Sequence, residues 1–214
     1  MDLKAKNKYT TFYVVRHGET TANVQGIIQG QKDYPLNSNG EEQAKARARQ
    51  LKSVKFDAIF SSDLVRAKRT AEIISLESKM TVLTTKALRE RCYGEYEDTV
   101  RKNWSEEINK VFDRWYLLAD AQWMKHRVGK DFETGEEVIT RFMRFVREMA
   151  VAYPSKTILA VCHGDLMRNF LVHLGFATKE QLRGTAIQNT GYFILETDGV
   201  DYFIKKTVGI VKTD

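Results

Sequence analysis

Two histidines stand at the ends of apolar runs, and arginines accompany them. Thr10–Val15 reads TTFYVV and delivers Arg16-His17-Gly18-Glu19; Thr157–Cys162 reads TILAVC and delivers His163-Gly164-Asp165. A histidine so placed can act as a metal ligand, a general base or a nucleophile. A metal would need carboxylate companions, for which Glu19, Asp63, Glu90 and Asp165 are the candidates. Arg16 and Arg66 would set like charge against a cation. Planar guanidinium groups instead grip phosphate oxygens through paired hydrogen bonds. Arg66 also falls in the first turn of an expected helix, whose dipole favours the same anion. The residue types argue for a phosphate-like anion rather than a metal.

Strands must present these groups, and the pattern supplies them. The β-branched and aromatic run Thr10–Val15 and the run Thr157–Cys162 read as buried strands, Ala58–Ser61 as a short one and Thr81–Thr85 as another. Helices alternate with them. Ser38 and Glu41 form a capping box for a helix to about Leu51, with Ala44, Ala48 and Leu51 inward. Asp63 can cap the next helix, whose Leu64, Ala67, Ala71 and Ile74 share a face. Trp104, Ile108, Val111, Trp115 and Leu118 predict one ring-rich helix between Arg101 and about Met124. Thr134 and Glu137 cap another, stopped by Pro154. Leu166–Leu174 reads as helical with Gly175 as its stop, and Gly191–Thr197 with Asp201–Val208 as a closing hairpin. Alternating strands and helices indicate an α/β domain with a mostly parallel sheet. Ligands of such sheets bind beyond the carboxyl ends of the strands, where both His-Gly pairs fall.

At 214 residues the chain fits one domain, 1–214, with a helical cap insertion at about 95–134. The hydrophobic share of 43% suffices for a core, and no run reaches a membrane span. The opening MDLKAKNK lacks the apolar stretch of a secretory signal, so a cytoplasmic protein is expected. The net charge of +6 fits an acidic substrate, a nucleic acid or an anionic surface and does not choose among them. It is spread over Lys4, Lys6 and Lys8, the Lys45/Arg49/Lys52 row and Lys205/Lys206, and no nucleic-acid motif accompanies it.

With these residues placed, the sequence resembles the histidine phosphatase superfamily, which includes the cofactor-dependent phosphoglycerate mutases. The resemblance is carried by VVRHGETTANVQGIIQGQKDYPLNSNGEEQA from Val14, IFSSDLVRAKRTAEII from Ile59, ALRERCYGEYED from Ala87, FETGEEVITRF from Phe132 and ILAVCHGDLMRNFL from Ile158. It implies a phosphoglycerate mutase-like three-layer α/β/α fold with a mostly parallel sheet and a helical cap. It implies His17 as the phosphorylated nucleophile and Glu90 as the proton donor. Arg16, Arg66 and His163 would complete the phosphoryl pocket, bordered by Asn23, Gln29 and Gly30, with Tyr93 and Gly164 also at the substrate. No metal and no cofactor is expected, since arginine and histidine neutralise the phosphate directly. The chain departs from the family in carrying Glu97-Asp98 where many members have Glu-Gly, and Gly135-Glu136-Glu137 where Gly-Glu-Ser is frequent.

The expected function is hydrolysis of small phosphorylated metabolites through phosphohistidine, by a monomer or homodimer without nucleic-acid or membrane partners. The alternatives are mutase-type transfer within one substrate, and a non-catalytic phospho-ligand module. Phosphoglycerate mutases of the family are typically longer and carry an Arg-Arg pair in the insertion. None occurs here between Gly94 and Gly135, and Glu95, Glu97 and Asp98 would repel an anionic tail. His126 is expected at an exposed or cap edge, His173 partly buried, and the Trp104–Trp115 stripe as packing. Cys162 is expected to pack as a small hydrophobe, and Cys92 to be accessible, which leaves a redox role open for it.

Overall fold

The computed structural model describes residues 8–76 and 80–213; Lys4 and Lys6 of the basic N-terminal run lie outside the described residues. Its sheet has six strands, β1 (Thr10–Arg16), β2 (Ala58–Ser62), β3 (Val82–Thr85), β4 (Thr157–Cys162), β5 (Ile187–Thr197) and β6 (Tyr202–Ile210), in the order β3-β2-β4-β1-β5-β6. The first four of that order run parallel, whereas β5 and β6 form an antiparallel hairpin at the edge. The fold is therefore the expected mixed α/β arrangement.

Helices flank the sheet: α1 (Thr21–Gln25), α2 (Ser38–Leu51), α3 (Val65–Ser75), α4 (Glu106–Leu117), α5 (Asp120–Lys125), α6 (Gly135–Ala152) and α7 (Gly164–His173). Successive side chains of a strand point to opposite faces, so β1 feeds two cores. Phe12 and Val14 join Phe142 and Phe170 from α6 and α7, while Val15 joins Leu51, Ala67 and Ala71 from α2 and α3. Coverage on both faces explains why β1 and β4 are continuous apolar runs. Their parallel register pairs Val14 with Ala160 and Arg16 with Cys162, and the His17 amide donates to the Cys162 carbonyl at 3.0 Å. That register sets His17 and His163 side by side.

Several local expectations need correction. Asn37, not Ser38, caps α2: its backbone is extended and its side chain accepts from the Gly40 amide at 2.7 Å. Asp63 does not cap α3, because Arg89 holds both its oxygens at 2.7 and 2.6 Å. Asp33 serves instead, accepting from the Val65 amide at 2.9 Å. The single helix expected over 101–124 is a 3₁₀ turn, Arg101–Asn103, followed by α4 and α5. In one continuous helix Trp115 and Trp123 would lie roughly 12 Å apart along the axis. The break at Leu118 lets their rings stack with centroids 5.3 Å apart. The Thr134–Glu137 capping box is present, and Gly175 follows α7 at φ +67°. The hairpin turns at Asp198-Gly199 with strands longer than expected. Among the described residues, no helix is long and apolar enough to cross a membrane.

Candidate active site

His17 is nearly buried at the end of β1, and its Nδ1 lies 2.7 Å from the Gly18 carbonyl oxygen. A carbonyl only accepts, so Nδ1 carries the hydrogen and the lone pair sits on Nε2. Burial, then the charges of Arg66 and Arg16, hold the His17 pKa well below the usual imidazole value. The loop that follows is closely fitted: a Cβ on Gly18 would meet the Gly40 carbonyl oxygen at 2.4 Å.

A cavity of about 160 Å³ opens here, lined by Arg16, His17, Asn23, Ile27, Ile28, Gln29, Gly30, Arg66, Glu90 and Tyr93. Arg66 reaches it from the first turn of α3. Its Nη1 donates to the Lys32 carbonyl and its Nη2 to the Gly30 carbonyl, each at 2.7 Å. Burial lowers the pKa of both Arg16 and Arg66 to about 10, which leaves them cationic at neutral pH. The Nε atoms of both arginines and Gln29 Oε1 are buried without a partner among the described residues. Buried polar groups are ordinarily satisfied, so this concentration of free donors and an acceptor marks a place for a polar ligand. Asn23 spends Oδ1 on the Thr20 amide and hydroxyl, each at 3.1 Å, which leaves its NH₂ for the cavity. Gly30 stands at φ +50°, where a Cβ would strike the Glu97 carboxylate at 2.0 Å.

His163 is beside the cavity but does not line it. Its ring is fully buried, with its centroid 5.1 Å from that of His17, and neither nitrogen has a partner among the described residues. Burial first, then Arg66 and His17, hold its pKa well below the usual value. Gly164 borders a second cavity of about 140 Å³, which shares Arg16, Glu90 and Tyr93 with the first and adds Asp165, Arg168, Gly184 and Ile187.

The four carboxylates suggested by the sequence separate clearly. Glu90 alone lines both cavities. Its Oε1 accepts from the amides of Arg91 at 2.9 Å and Leu166 at 3.0 Å, and its Oε2 from the Asp165 amide at 3.1 Å. Burial, then the charge of Asp165, raises the Glu90 pKa against the lowering by those amides and Arg66. Glu19 is tied to Asn37 and Asn39 at 2.8 and 3.0 Å, away from the cavity wall, and Asp63 belongs to Arg89. Asp165 is held by Arg91 and Arg168 at 2.6 and 2.9 Å. Among the described residues, no group of three or more His, Cys, Asp or Glu side chains could hold a metal ion.

Sequence reasoning overlooked the arginines behind the site. Arg141 on α6 donates to the carbonyls of Ala87, Arg89 and Glu90 at 3.0, 2.6 and 3.0 Å, clamping the loop that carries Glu90. Arg91 is fully buried against Asp165. Arg168 stands three residues from Asp165 on α7, a spacing that could have signalled their pairing. His173 is exposed rather than partly buried, because it ends α7 on the outer side; His126 is exposed as expected. Trp115 packs in the core. Cys92 is half-buried, and burial raises its thiol pKa, which opposes the thiolate a redox role requires.

A buried imidazole and two guanidinium groups around one cavity, with a buried carboxyl of raised pKa on its wall, form a site suited to a phosphate-like anion on an α/β fold. More narrowly, the family model of the histidine phosphatase superfamily (branch 1) matches residues 12–208, and the chain belongs to that superfamily. It is 33% identical over 180 residues, 84% of each chain, to a Bacillus subtilis (strain 168) protein named uncharacterized phosphatase PhoE. It is 29% identical over 208 residues, 92% of this chain and 97% of the relative, to a 2,3-bisphosphoglycerate-dependent phosphoglycerate mutase of Bartonella tribocorum. Among solved structures, Bacillus stearothermophilus YhfR superimposes with a TM-score of 0.82 at 25% identity, covering 95% of this chain and 98% of that one. The relatives thus include both phosphatases and mutases.

Proposed function

We propose that the protein hydrolyses small phosphate monoesters in two steps through phosphohistidine at His17. The observation that carries this reading is the free Nε2 lone pair of His17, set between Arg16 and Arg66 in a cavity that also contains Glu90. In the first step Nε2 attacks phosphorus, the ester P–O bond breaks, and the Glu90 proton passes to the departing alkoxide oxygen. In the second, water attacks phosphorus, the P–N bond breaks, and the water proton returns to Glu90 as orthophosphate forms. The fixed donors of Arg16, Arg66 and Asn23 stabilise the charge spread over the transferring oxygens.

The two cavities of about 160 and 140 Å³ suit a phosphoryl group joined to a compact organic part. Each amounts to roughly five waters' share of liquid volume. Hydrolysis is favoured over mutase transfer by the missing Arg-Arg pair and by the engagement of Arg89 and Arg91 with Asp63 and Asp165. Neither guanidinium is then left to anchor a second substrate anion. The mutase relative makes isomerisation the alternative, and it would use the same phosphohistidine.

Acid-free rapid quench and peptide mass spectrometry should find an acid-labile phosphate on His17 during turnover. Label that persists in His17→Ala would overturn the assignment. Turnover of phosphate esters with and without 2,3-bisphosphoglycerate separates the readings: a hydrolase releases one orthophosphate per substrate consumed, whereas a mutase releases the isomer.

A further inference from the structure

The steps above leave Asp165 unused, although its surroundings are the most elaborate in the site. Its Oδ2 accepts from Arg91 Nε at 2.6 Å and its Oδ1 from Arg168 Nη1 at 2.9 Å. Arg91 is boxed by the rings of Trp115, Trp123 and Phe132, which lie 5.2, 5.5 and 5.3 Å from its guanidinium carbon. Its other donors go to Asn169 Oδ1 at 2.7 Å and the Glu133 carbonyl at 3.1 Å. An ion pair this deeply buried is weak evidence of stabilisation, because desolvation offsets its attraction. Its place beside Glu90 indicates another use. The Asp165 amide holds Glu90 Oε2, and both residues line the 140 Å³ cavity.

We propose that Asp165 is a positioning residue: a carboxylate locked in its charged form by Arg91 and Arg168, which keeps the proton on its neighbour Glu90 until the leaving group takes it. The inference rests on the phosphatase reading and names what readies its acid. Two carboxylates sharing one site do not both ionise readily, and the better-paired one takes the charge. Asp165 has two guanidinium groups in direct contact, while Glu90 is held by backbone amides. Burial opposes the Asp165 charge, but Arg91 and Arg168 more than offset it and its pKa falls, whereas that of Glu90 rises. Cations also face Glu90: Arg16 from β1, Arg66 from α3, Arg168 from α7, and Arg141 from α6, which binds its carbonyl. Cys162 of β4 and Tyr93 of its own loop are the remaining titratable neighbours. Those cations draw Glu90 toward ionisation, and Asp165 and burial oppose them.

Asp165→Asn keeps the side chain's size and an oxygen for Arg91. The alkaline limb of kcat/KM for an alkyl phosphate should move down by about one pH unit, because the acid loses its proton earlier. Arg168→Gln removes a cation that faces Glu90, so the limb should move up. The nitrophenolate burst from p-nitrophenyl phosphate, which needs no acid, should show no such movement of an alkaline limb in Asp165→Asn. A merely structural Asp165 would not give shifts of opposite sign. An unmoved limb in either variant, or movement of both in one direction, overturns the proposal. If Asp165→Asn does not fold, Asp165→Ser, which also removes the charge and leaves room for water beside Arg91, decides by the same downward movement. A pH titration of the Glu90 carboxyl band by difference infrared spectroscopy, assigned with Glu90→Gln, requires no turnover. It still tests Asp165 if the wild type hydrolyses no phosphate ester, the result that would defeat the phosphatase reading alone.

Discussion

Glu90→Gln divides proton donation from phosphate orientation. The carboxamide oxygen of Gln can keep the bonds that Oε1 accepts from the Arg91 and Leu166 amides at 2.9 and 3.0 Å. Its NH₂ would then replace Oε2 opposite the Asp165 amide, setting donor against donor where a 3.1 Å bond stood. Loss of that bond should cost about 1 kcal/mol of stability. The loss of a general acid is larger, roughly 10²–10⁴ in rate for a poor leaving group, or about 3–5 kcal/mol in barrier. The two penalties are read separately, by thermal or urea unfolding and by stopped-flow kinetics. An alkyl phosphate should lose the full factor in its first step. p-Nitrophenyl phosphate, whose phenolate departs unprotonated, should still give a rapid burst. Slow turnover should follow, because the second step has lost its base. Equal depression of the first step for both substrates would refute the argument and make Glu90 an orienting group. Neither Glu19 nor Asp63 could then inherit the acid role, since both are committed to partners away from the cavity wall.

Arg66→Ala should lower kcat/KM by roughly 10²–10³ and weaken orthophosphate inhibition in parallel. Lys68→Ala, whose half-exposed amine lies 4.0 Å from Glu72, should change little; equal effects of the two would mean that the phosphate lies elsewhere. Stability should fall as pH drops below about 6.5, because His17 and His163 resist protonation in the folded chain but accept it when unfolded. A depressed folded pKa makes the unfolded state bind more protons in that window, so the contribution is complete above it and lost below. The loss is at most about 2 kcal/mol over the first pH unit for the pair. His17→Asn should remove about half of that slope in urea melts, and an unchanged slope would contradict the burial of His17.

The parts legible in the sequence were those fixed by local pattern. The apolar runs of β1 and β4 announced buried strands because both faces of the sheet are covered, and Arg16-His17 and His163 had to leave at their ends. The Thr134–Glu137 box and Gly175 are local devices, and both are present. Errors arose where a polar side chain had two plausible partners. Asp63 reads as a helix cap until Arg89, distant in sequence, offers two hydrogen bonds to its carboxylate, stronger than one amide can supply. Ser38 and Asn37 are both good caps, and the extended backbone at Asn37 settles which of them starts the helix. The ring-rich insertion reads as one helix because aromatic periodicity continues across Leu118, and only the stacking of Trp123 on Trp115 requires the break.

That break also explains why Arg91 escaped notice. In the sequence it is one more charge beside Glu90, in a chain with 34 basic residues. Its burial depends on three rings brought together from α4, α5 and the segment before α6, and on a carboxylate from α7. No spacing rule joins those positions. A strand end declares its histidine because the backbone alone aims it. The protonation of a carboxyl depends instead on every charge around it, and such an environment exists only after the chain has folded. The place of His17 was therefore readable from the sequence, while the groups around the proposed acid became visible only in three dimensions.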